Sequence, residues 1–532
     1  MATPNKKKVS KTETTKHLNW MGGASYFSSN PVQSLRLIAS SCFFGEPQYY
    51  HKDSSVVGSR LTERQLTSLR ERLNALDPQE WRSKSPQECM INAIDDALNH
   101  SVEQTLQEAV RLRQEDNIRT TPQVILVRAA HHKNAKGTGL VGKYGKDIVI
   151  RTDEPSVGLA YHIETYGKDA PIPNSLKKVW ARYLEKRSEK DLAKYKMDTR
   201  GVKTVDVVNL VHPKRTPAIH KLVRGELKLE ASTWESLISS NGSNCNTWTQ
   251  AVDIMGHMAL LRNVRNLLDN KVEQRLFLSK LVDGAKTGKQ LPFRYYSAFR
   301  AIPDAPGTVK DAIEQCMEIT MENVPNFSGR VMSLCDNSGS AQGTTTSSMG
   351  TMKVSTIANL TGCIVGAKAD EGYVGVFGDR LDVMSIRKKS SIFDNLEKAE
   401  TLAERVGQET ENGIWLFWDK AIREKEHWDH VFVFSDLQAG HGGLYGINAQ
   451  SYKDYAWDNG RHIDVSKLIN AYRSKVNPLV NVYLVQVAGY KDTILPEFYD
   501  RTFILSGWGE GVLKFAGQMT SVMNQVSQKK AV

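Results

Sequence analysis

Val331-Met332-Ser333-Leu334-Cys335-Asp336-Asn337-Ser338-Gly339-Ser340 decides the reading of the carboxyl-terminal half of the chain. Five apolar-leaning residues of buried-strand type run into an Asp-x-Ser-x-Ser spacing. One carboxylate supplies charge to a hard divalent cation, and two neutral hydroxyls within the next four residues supply oxygens without over-neutralising it. Such a loop suits a binding domain better than a hydrolase. A purely structural Ser- and Gly-rich turn after a strand is the alternative on this stretch alone.

Two further segments repeat the grammar. Val431-Phe432-Val433-Phe434-Ser435-Asp436 is a second apolar strand that ends in an acid. Gly407-Gln408-Glu409-Thr410-Glu411-Asn412-Gly413 is a loop with a hydroxyl residue, followed by a helical pattern over 414–423. In an open parallel sheet, loops at the carboxyl ends of different strands gather near the topological switch point, so these three segments can converge.

Asp336, Ser338, Ser340, Thr410 and Asp436 resemble, residue for residue, the metal-ion-dependent adhesion site of von Willebrand factor A domains. The surrounding chain alternates as that fold does, with a helical segment at 351–368, strands at 372–377, 480–487 and 501–505, and a closing helix at 509–526. The resemblance implies an α/β, Rossmann-like domain over 327–532 and a divalent cation, Mg2+ by expectation, held by those five residues.

The chain has 532 residues, more than one ordinary core accommodates, so at least two domains are expected. With 40% hydrophobic and 24% charged residues its composition is that of a globular protein. No stretch approaches the roughly 18 apolar residues of a membrane span, and the amino terminus lacks the apolar core of a signal peptide. No membrane association and a cytoplasmic location are therefore expected. Cysteines at 42, 89, 245, 316, 335 and 363 form no Cys-x-x-Cys pair, which predicts core fillers rather than a zinc site or disulfide framework.

Residues 1–16 are polar and Lys-rich, and a disordered tail is expected there. Over 17–326 the pattern is helical, with amphipathic stretches at 32–41, 62–74, 86–99, 102–114, 176–195 and 248–268 and few convincing strands. Leu66, Leu69 and Leu73 show the spacing. Segment 232–247, rich in Ser and Asn, reads as a looser connection. The formal charge of +11 and pI of about 9.1 favour a polyanionic partner. Between Lys177 and Lys228 stand fifteen Lys and Arg against six Asp and Glu, most of the excess in about a tenth of the length. Pairing of Glu185, Glu189 and Asp191 with Lys190, Lys194 and Arg187 at helical spacing would make part of this a solvated helix face. Lys194, Lys196, Arg200, Lys203, His212, Lys214, Arg215, His220, Lys221 and Arg224 then remain as a candidate phosphate-binding surface.

Within that segment, Asp206-Val207-Val208-Asn209-Leu210-Val211-His212-Pro213-Lys214 resembles the signature of TROVE modules, as do 191–195, 258–266 and 290–294. Followed by an A-like domain, the chain resembles the Ro autoantigen family, bacterial relatives included. The resemblance implies a multidomain chain in which an all-α, HEAT-like TROVE ring precedes the A-like domain, which bridges the ring's two ends. It implies binding of small noncoding Y or Y-like RNA on a basic outer surface, where Lys194, Lys196, Arg200, Lys203, His212, Lys214 and Arg215 would lie. It further implies engagement of single-stranded ends of misfolded RNA in a central hole, RNA quality control with an exoribonuclease as a cooperating partner, and a monomer within a ribonucleoprotein. Arg128, His131, His132 and Lys133, the Gly137-Thr138-Gly139 loop, and Arg262 and Arg265 are candidates for the channel lining. Inter-helix hydrogen bonding is the structural alternative for the last two.

Catalysis finds little support. The chain has no phosphate loop of the Gly-x-x-x-x-Gly-Lys-Ser/Thr type, no His-Glu-x-x-His and no Gly-x-Ser-x-Gly elbow. Asp95 and Asp96 are adjacent and face different directions on a helix, which makes a two-metal pair unexpected. The expectation is an RNA-binding protein that is not an enzyme. The rival reading is a metal-dependent adaptor whose Asp336 loop grips an acidic side chain of a partner protein.

Overall fold

A computed structural model describes residues 16–18, 24–27, 30–40, 86–116, 118–197, 201–227, 233–288, 292–322, 324–343, 353–388, 390–408, 412–435, 454–457, 462–487, 492–493, 501–506, 513 and 516–517. The described residues from Pro31 to Met321 are mainly helical, and a six-stranded mixed sheet with flanking helices follows. Two predicted elements, the helix at 62–74 and most of the closing helix at 509–526, lie outside the described residues.

The sheet is built from β3 (Phe327–Asp336), β4 (Ala369–Phe377), β5 (Leu381–Ser385), β6 (His430–Ser435), β9 (Asn481–Gln486) and β11 (Thr502–Ser506), in the order β11-β9-β6-β3-β4-β5. All pairs are parallel except β4 with β5. The apolar runs of β3, β6 and β9 follow from burial on both faces. Alternate residues separate cleanly: Met332, Leu334, Val431, Val433, Val482 and Leu484 enter a core with Trp415, Trp418 and Tyr472. Their neighbours Val331, Cys335, Phe432, Phe434, Tyr483 and Val485 enter the core on the opposite face.

That opposite core does not end with the sheet domain. It is continuous with Trp248, Leu260, Phe277, Leu281, Tyr295, Ile313 and Met317 on the helices between Cys245 and Met321. Helix Ile392–Ala403 is a main point of contact, with the Phe393 and Phe299 rings 4.4 Å apart and Phe393 to Tyr296 5.7 Å. The Tyr296 hydroxyl donates to the Glu400 carboxylate at 3.1 Å, and Thr356 adds a bond at 3.4 Å. Helices from Pro31 to Val223 pack around a second core, with Leu35, Ile94, Leu106, Leu126, Trp180 and Leu222 among its members.

The amino-terminal end of the helical part also meets the sheet domain. Two short strands, β1 (Lys16–Leu18) and β2 (Ala24–Phe27), form an antiparallel pair, and β2 pairs with β10 (Asp492–Thr493) through Phe27 and Tyr26. A last pair, β7 (Ala456–Trp457) with β8 (His462–Ile463), lies between β6 and β9 in sequence.

Several sequence expectations are corrected in detail. The single helix expected over 176–195 is two, Asn174–Leu184 and Glu189–Lys194, because Ser188 forms a capping box that starts a new helix. The stretch 248–268 divides into Cys245–Ile254 and His257–Asp269, with the break at Met255-Gly256. Segment 232–247 carries a helix of its own, Trp234–Asn241, capped by the Thr233 hydroxyl on the Ser236 N–H at 3.2 Å. The described cysteines are free thiols, with Cys316, Cys335 and Cys363 buried and Cys245 exposed. Burial pushes the Cys316, Cys335 and Cys363 thiols up, which keeps them protonated and inert.

Candidate nucleic-acid interface and metal loop

The basic segment is a run of short helices joined by turns that backbone and acidic groups fix. Ser188 and Asp191 exchange capping bonds at 3.1 and 3.4 Å, which sets helix Glu189–Lys194. Asp206 accepts the Lys203 N–H at 2.8 Å and starts helix Thr204–Val211. That helix ends at His212, whose backbone takes the left-handed conformation at φ 48° and ψ 62°. His is one of the few non-glycine residues enriched there. Pro213 is buried directly after it, so the chain cannot continue as helix and turns outward. The Glu185 carboxylate accepts the Lys214 N–H at 2.8 Å and ties this turn to the end of helix Asn174–Leu184.

Of the acidic side chains in this segment, Glu185, Asp191 and Asp206 accept backbone N–H groups, whereas Glu189 and Glu226 face Lys221 and Arg224. Glu185 bonds Lys214, Asp191 bonds Ser188, and Glu189 reaches across to Lys221 at 2.8 Å. None of the helical-spacing pairs expected with Lys190, Lys194 and Arg187 forms among the described residues. Arg187 instead lies over the Tyr183 ring, 4.4 Å from its centroid. The cause is the helix break at Ser188, which takes residues 185 and 189 off a common face.

Lys194, Lys203, His212, Lys214 and Arg215 are all exposed, and no ion pair engages them among the described residues. Lys194 stands 5.5 Å from the Tyr195 ring centroid. Lys196 behaves differently: half-buried, it donates its ammonium to the Leu227 carbonyl and so fastens the segment's two ends. Arg200 lies outside the described residues. Arg224 faces Glu226 at 3.8 Å.

Among the channel candidates, Arg128 is occupied by Asp95 and by the Tyr161 hydroxyl at 2.7 Å. His131 contacts the His162 Nδ1 through its Nε2 at 3.0 Å and stacks on Tyr166 at 3.9 Å. Because His162 Nε2 faces the Ala170 carbonyl at 3.1 Å, it carries the proton there, and His131 donates to its other nitrogen. Burial first, then His162 and Arg128, push the His131 imidazole down to about 4, so it is neutral at physiological pH. Lys133, Arg262 and Arg265 are exposed, and the inter-helix bonds that were the alternative reading of the two arginines are not found among the described residues. One further feature, a basic cavity beside Arg182 and Lys178, was not anticipated as a site. Its residues come from helices Thr120–His131, Leu140–Ile148 and Asn174–Leu184 and the segments that join them, which only folding brings together.

The Asp336 loop sits at the carboxyl end of the central strand β3, where the parallel sheet opens. Asp336 and Asn337 are fully buried and Ser338 nearly so. Asp336 Oδ1 accepts the Ser338 N–H at 2.9 Å, and Oδ2 accepts the Ser435 hydroxyl at 2.7 Å. Asn337 and Asn359 exchange amide bonds at 2.9 and 3.1 Å, which anchors the loop to helix Val354–Ala367. The Gly339 N–H donates to the Gln408 carbonyl at 2.8 Å, and a Cβ at 339 would come within 2.7 Å of that oxygen. Glycine is required by this approach of the two loops. The segments that carry the candidate ligands thus touch at Ser435 and Gln408. Thr410 and Asp436 themselves lie outside the described residues, as does the Ser340 side chain. No cluster of three His, Cys, Asp or Glu occurs among the described residues. The donor set in question, carboxylates with hydroxyls, is one of hard oxygens that suits Mg2+ or Ca2+.

No helix among the described residues is long and apolar enough to cross a membrane. A comparison with protein families matches residues 223–357 to the TROVE domain. The matched segment begins after the 206–214 stretch and spans the helices that share a core with the sheet, together with β3 and the first turn of helix Val354–Ala367. No curated protein matches the chain. Among solved structures, the Ro (RSR) protein of Deinococcus radiodurans matches with a TM-score of 0.56 at 15% identity, over 92% of this chain and 99% of that one. The chain thus matches the TROVE domain in its middle and has the fold of the Deinococcus Ro protein along nearly all of its length.

Proposed function

We propose that this protein binds small structured noncoding RNA of the Y or Y-like class on the surface formed by Lys194, Lys203, His212, Lys214 and Arg215, as part of RNA quality control. The observation that carries the reading is the exposed cluster of cations without ion pairs, whose neighbours Glu185, Asp191 and Asp206 bond backbone instead. Lys and Arg free of carboxylates neutralise phosphates with release of counterions. The 212–215 turn projects from buried Pro213, so its side chains meet a helical backbone by shape rather than by groove reading. The helical part is proposed to close as a HEAT-like ring, an idea supported by contacts of both its ends with the sheet domain. Such a ring would receive single-stranded ends of misfolded RNA, and an exoribonuclease would act on them. The protein itself is proposed to be a cytoplasmic, non-catalytic monomer within the ribonucleoprotein.

The sheet domain is proposed to be A-like, with Asp336, Ser338, Ser340, Thr410 and Asp436 as ligands of Mg2+. The bonds of Ser435 to Asp336 and of Gly339 to the Gln408 carbonyl, which order these segments around the Asp336 loop, support this. The metal would add fixed positive charge at the sheet's carboxyl edge. Magnesium should raise the melting temperature of the wild-type chain, and Asp336→Ala should abolish the increment.

For the RNA surface, the test is a salt titration of binding to the small RNA that co-purifies with the chain. Changing Lys194, Lys214 and Arg215 together to Glu is expected to weaken binding at least tenfold. It should also flatten the slope of log K against log salt by about two, at ~0.7–0.9 for each lost phosphate contact. Unchanged affinity and slope would sink the assignment and leave the adaptor reading, in which the Asp336 loop grips an acidic group of a protein.

A further inference from the structure

A cavity of about 1270 Å³ lies between helices Leu140–Ile148 and Asn174–Leu184, upstream of the surface just described. Seven cationic side chains line it and no carboxylate does. Lys136 and Lys146 come from the first helix and the turn before it. Lys177, Lys178 and Arg182 come from the second helix, and Lys186 and Arg187 from the turn after it. No ion pair engages any of the seven among the described residues. The Arg187 Nε is buried without a hydrogen-bond partner, although its Nη1 donates to the Tyr183 hydroxyl at 3.2 Å. An unmatched buried donor beside a one-signed rim is costly unless an anion approaches it.

Backbone adds to the same field. Gly139 at φ 74° precedes the first helix and Pro173 the second, and neither helix has a side-chain cap at that position. Gly139, Asn174 and Ser175 all line the cavity, so two positive helix ends face it. The floor is different in character. Val141, Val149, Ile172 and Val179 are buried there, and Ile150 remains 42% exposed at the edge.

A phosphodiester strand on an open surface needs cations spaced along it, and it leaves an apolar floor unused. A concave site with dense charge on one side and aliphatic side chains on the other matches a compact ligand with condensed phosphates and a flat, apolar ring. We propose that this cavity is a nucleotide site that takes a nucleoside triphosphate group, its phosphates on the Lys178–Arg182 rim and its base on the Val141–Ile150 floor. The group has two sources, a free nucleoside triphosphate or the 5′-triphosphate end of an RNA. The proposal does not depend on the Lys194–Arg215 surface, so the two readings fail separately.

Isothermal titration of the full chain, without added magnesium so that the Asp336 loop does not contribute, tests it. ATP should bind saturably and at least tenfold more tightly than inorganic tripolyphosphate. Lys178→Glu combined with Arg182→Glu, both exposed side chains, should weaken ATP at least tenfold with an unchanged circular dichroism spectrum. Lys214→Glu with Arg215→Glu should leave ATP binding as it is. A single-stranded oligonucleotide with a 5′-triphosphate that binds at least tenfold better than its 5′-hydroxyl counterpart, and competes with ATP, identifies the RNA end as the source. Equal binding of the two oligonucleotides with ATP binding intact identifies the free nucleotide. No saturable binding of either triphosphate, tripolyphosphate as tight as ATP, or no effect of the rim substitutions would overturn the proposal.

Discussion

His430 begins β6 between the rings of Phe327 and Tyr483, with centroids 5.9 and 6.2 Å away, and its Nδ1 lies 3.4 Å from the Asn481 amide nitrogen. Burial, against the raising effect of Asp429, pushes its imidazole down to about 4. In the unfolded chain an imidazole titrates near 6.5. Between those values only the unfolded state takes the proton, so stability present above pH 6.5 is lost as the pH falls toward 4, at up to about 1.4 kcal/mol per unit. Urea denaturation midpoints at pH 7, 5.5 and 4.5 should fall in that order, and His430→Phe should remove much of the fall and leave the share due to His131. A flat profile in the wild type would refute the burial argument. None of this was legible in sequence, since a His before Val-Phe-Val reads as the polar end of a strand. Asp336 and His212 were singled out in sequence, the first by the Asp-x-Ser-x-Ser spacing and the second by its place in the 206–214 motif within the basic segment. The left-handed backbone that lets His212 end a helix was not.

Elements built on a continuous apolar run were the most readable. Strands β3, β6 and β9 follow the sequence expectation because each is buried on both faces and needs no periodicity to announce it. Helices were readable in kind but not in extent. Between Asn174 and Lys194 apolar spacing persists across a break that Ser188 makes with one hydroxyl and the Asp191 carboxylate. Ser188→Ala should cost about 1 kcal/mol and loosen helix Glu189–Lys194 first. Amide exchange at 191–194 is expected to accelerate more than exchange in Asn174–Leu184, and equal acceleration in both would show that the cap does not act locally. β1 and β2 were missed in a segment read as helical, because three or four residues carry little pattern and their partner is supplied from Asp492 and Thr493.

Across the whole molecule, the helices from Cys245 onward and one face of the sheet share a core, with Phe393 only 5% exposed at their junction. Loss of its ring removes contacts with Phe299 and Tyr296 and leaves a void that neither side can close alone. Phe393→Ala is expected to cost about 3–5 kcal/mol. Scanning calorimetry should then show the helices before Leu227, which have a separate core, melting at an unchanged temperature while the remaining transition moves down. A parallel fall of all transitions would mean that the two cores unfold as one unit. Tyr296, pushed up to about 12 by burial and by Glu400, stays protonated and keeps its bond across this junction over the whole accessible pH range.

By itself, the sequence determined the class of each half, the strands that carry the Asp336 loop and the stretch of chain that holds the basic excess. These depend on local pattern: apolar runs, helical spacing and the count of charges within a segment. Tertiary structure decided which cations remain exposed and unpaired, since Glu185 and Glu189 find partners about thirty residues away rather than on their own helix. It also decided where the cores divide, how the amino-terminal strands meet β10, and that Lys136 and Arg182 face one cavity. Each of these is a pairing between distant residues, fixed by packing that no local window contains.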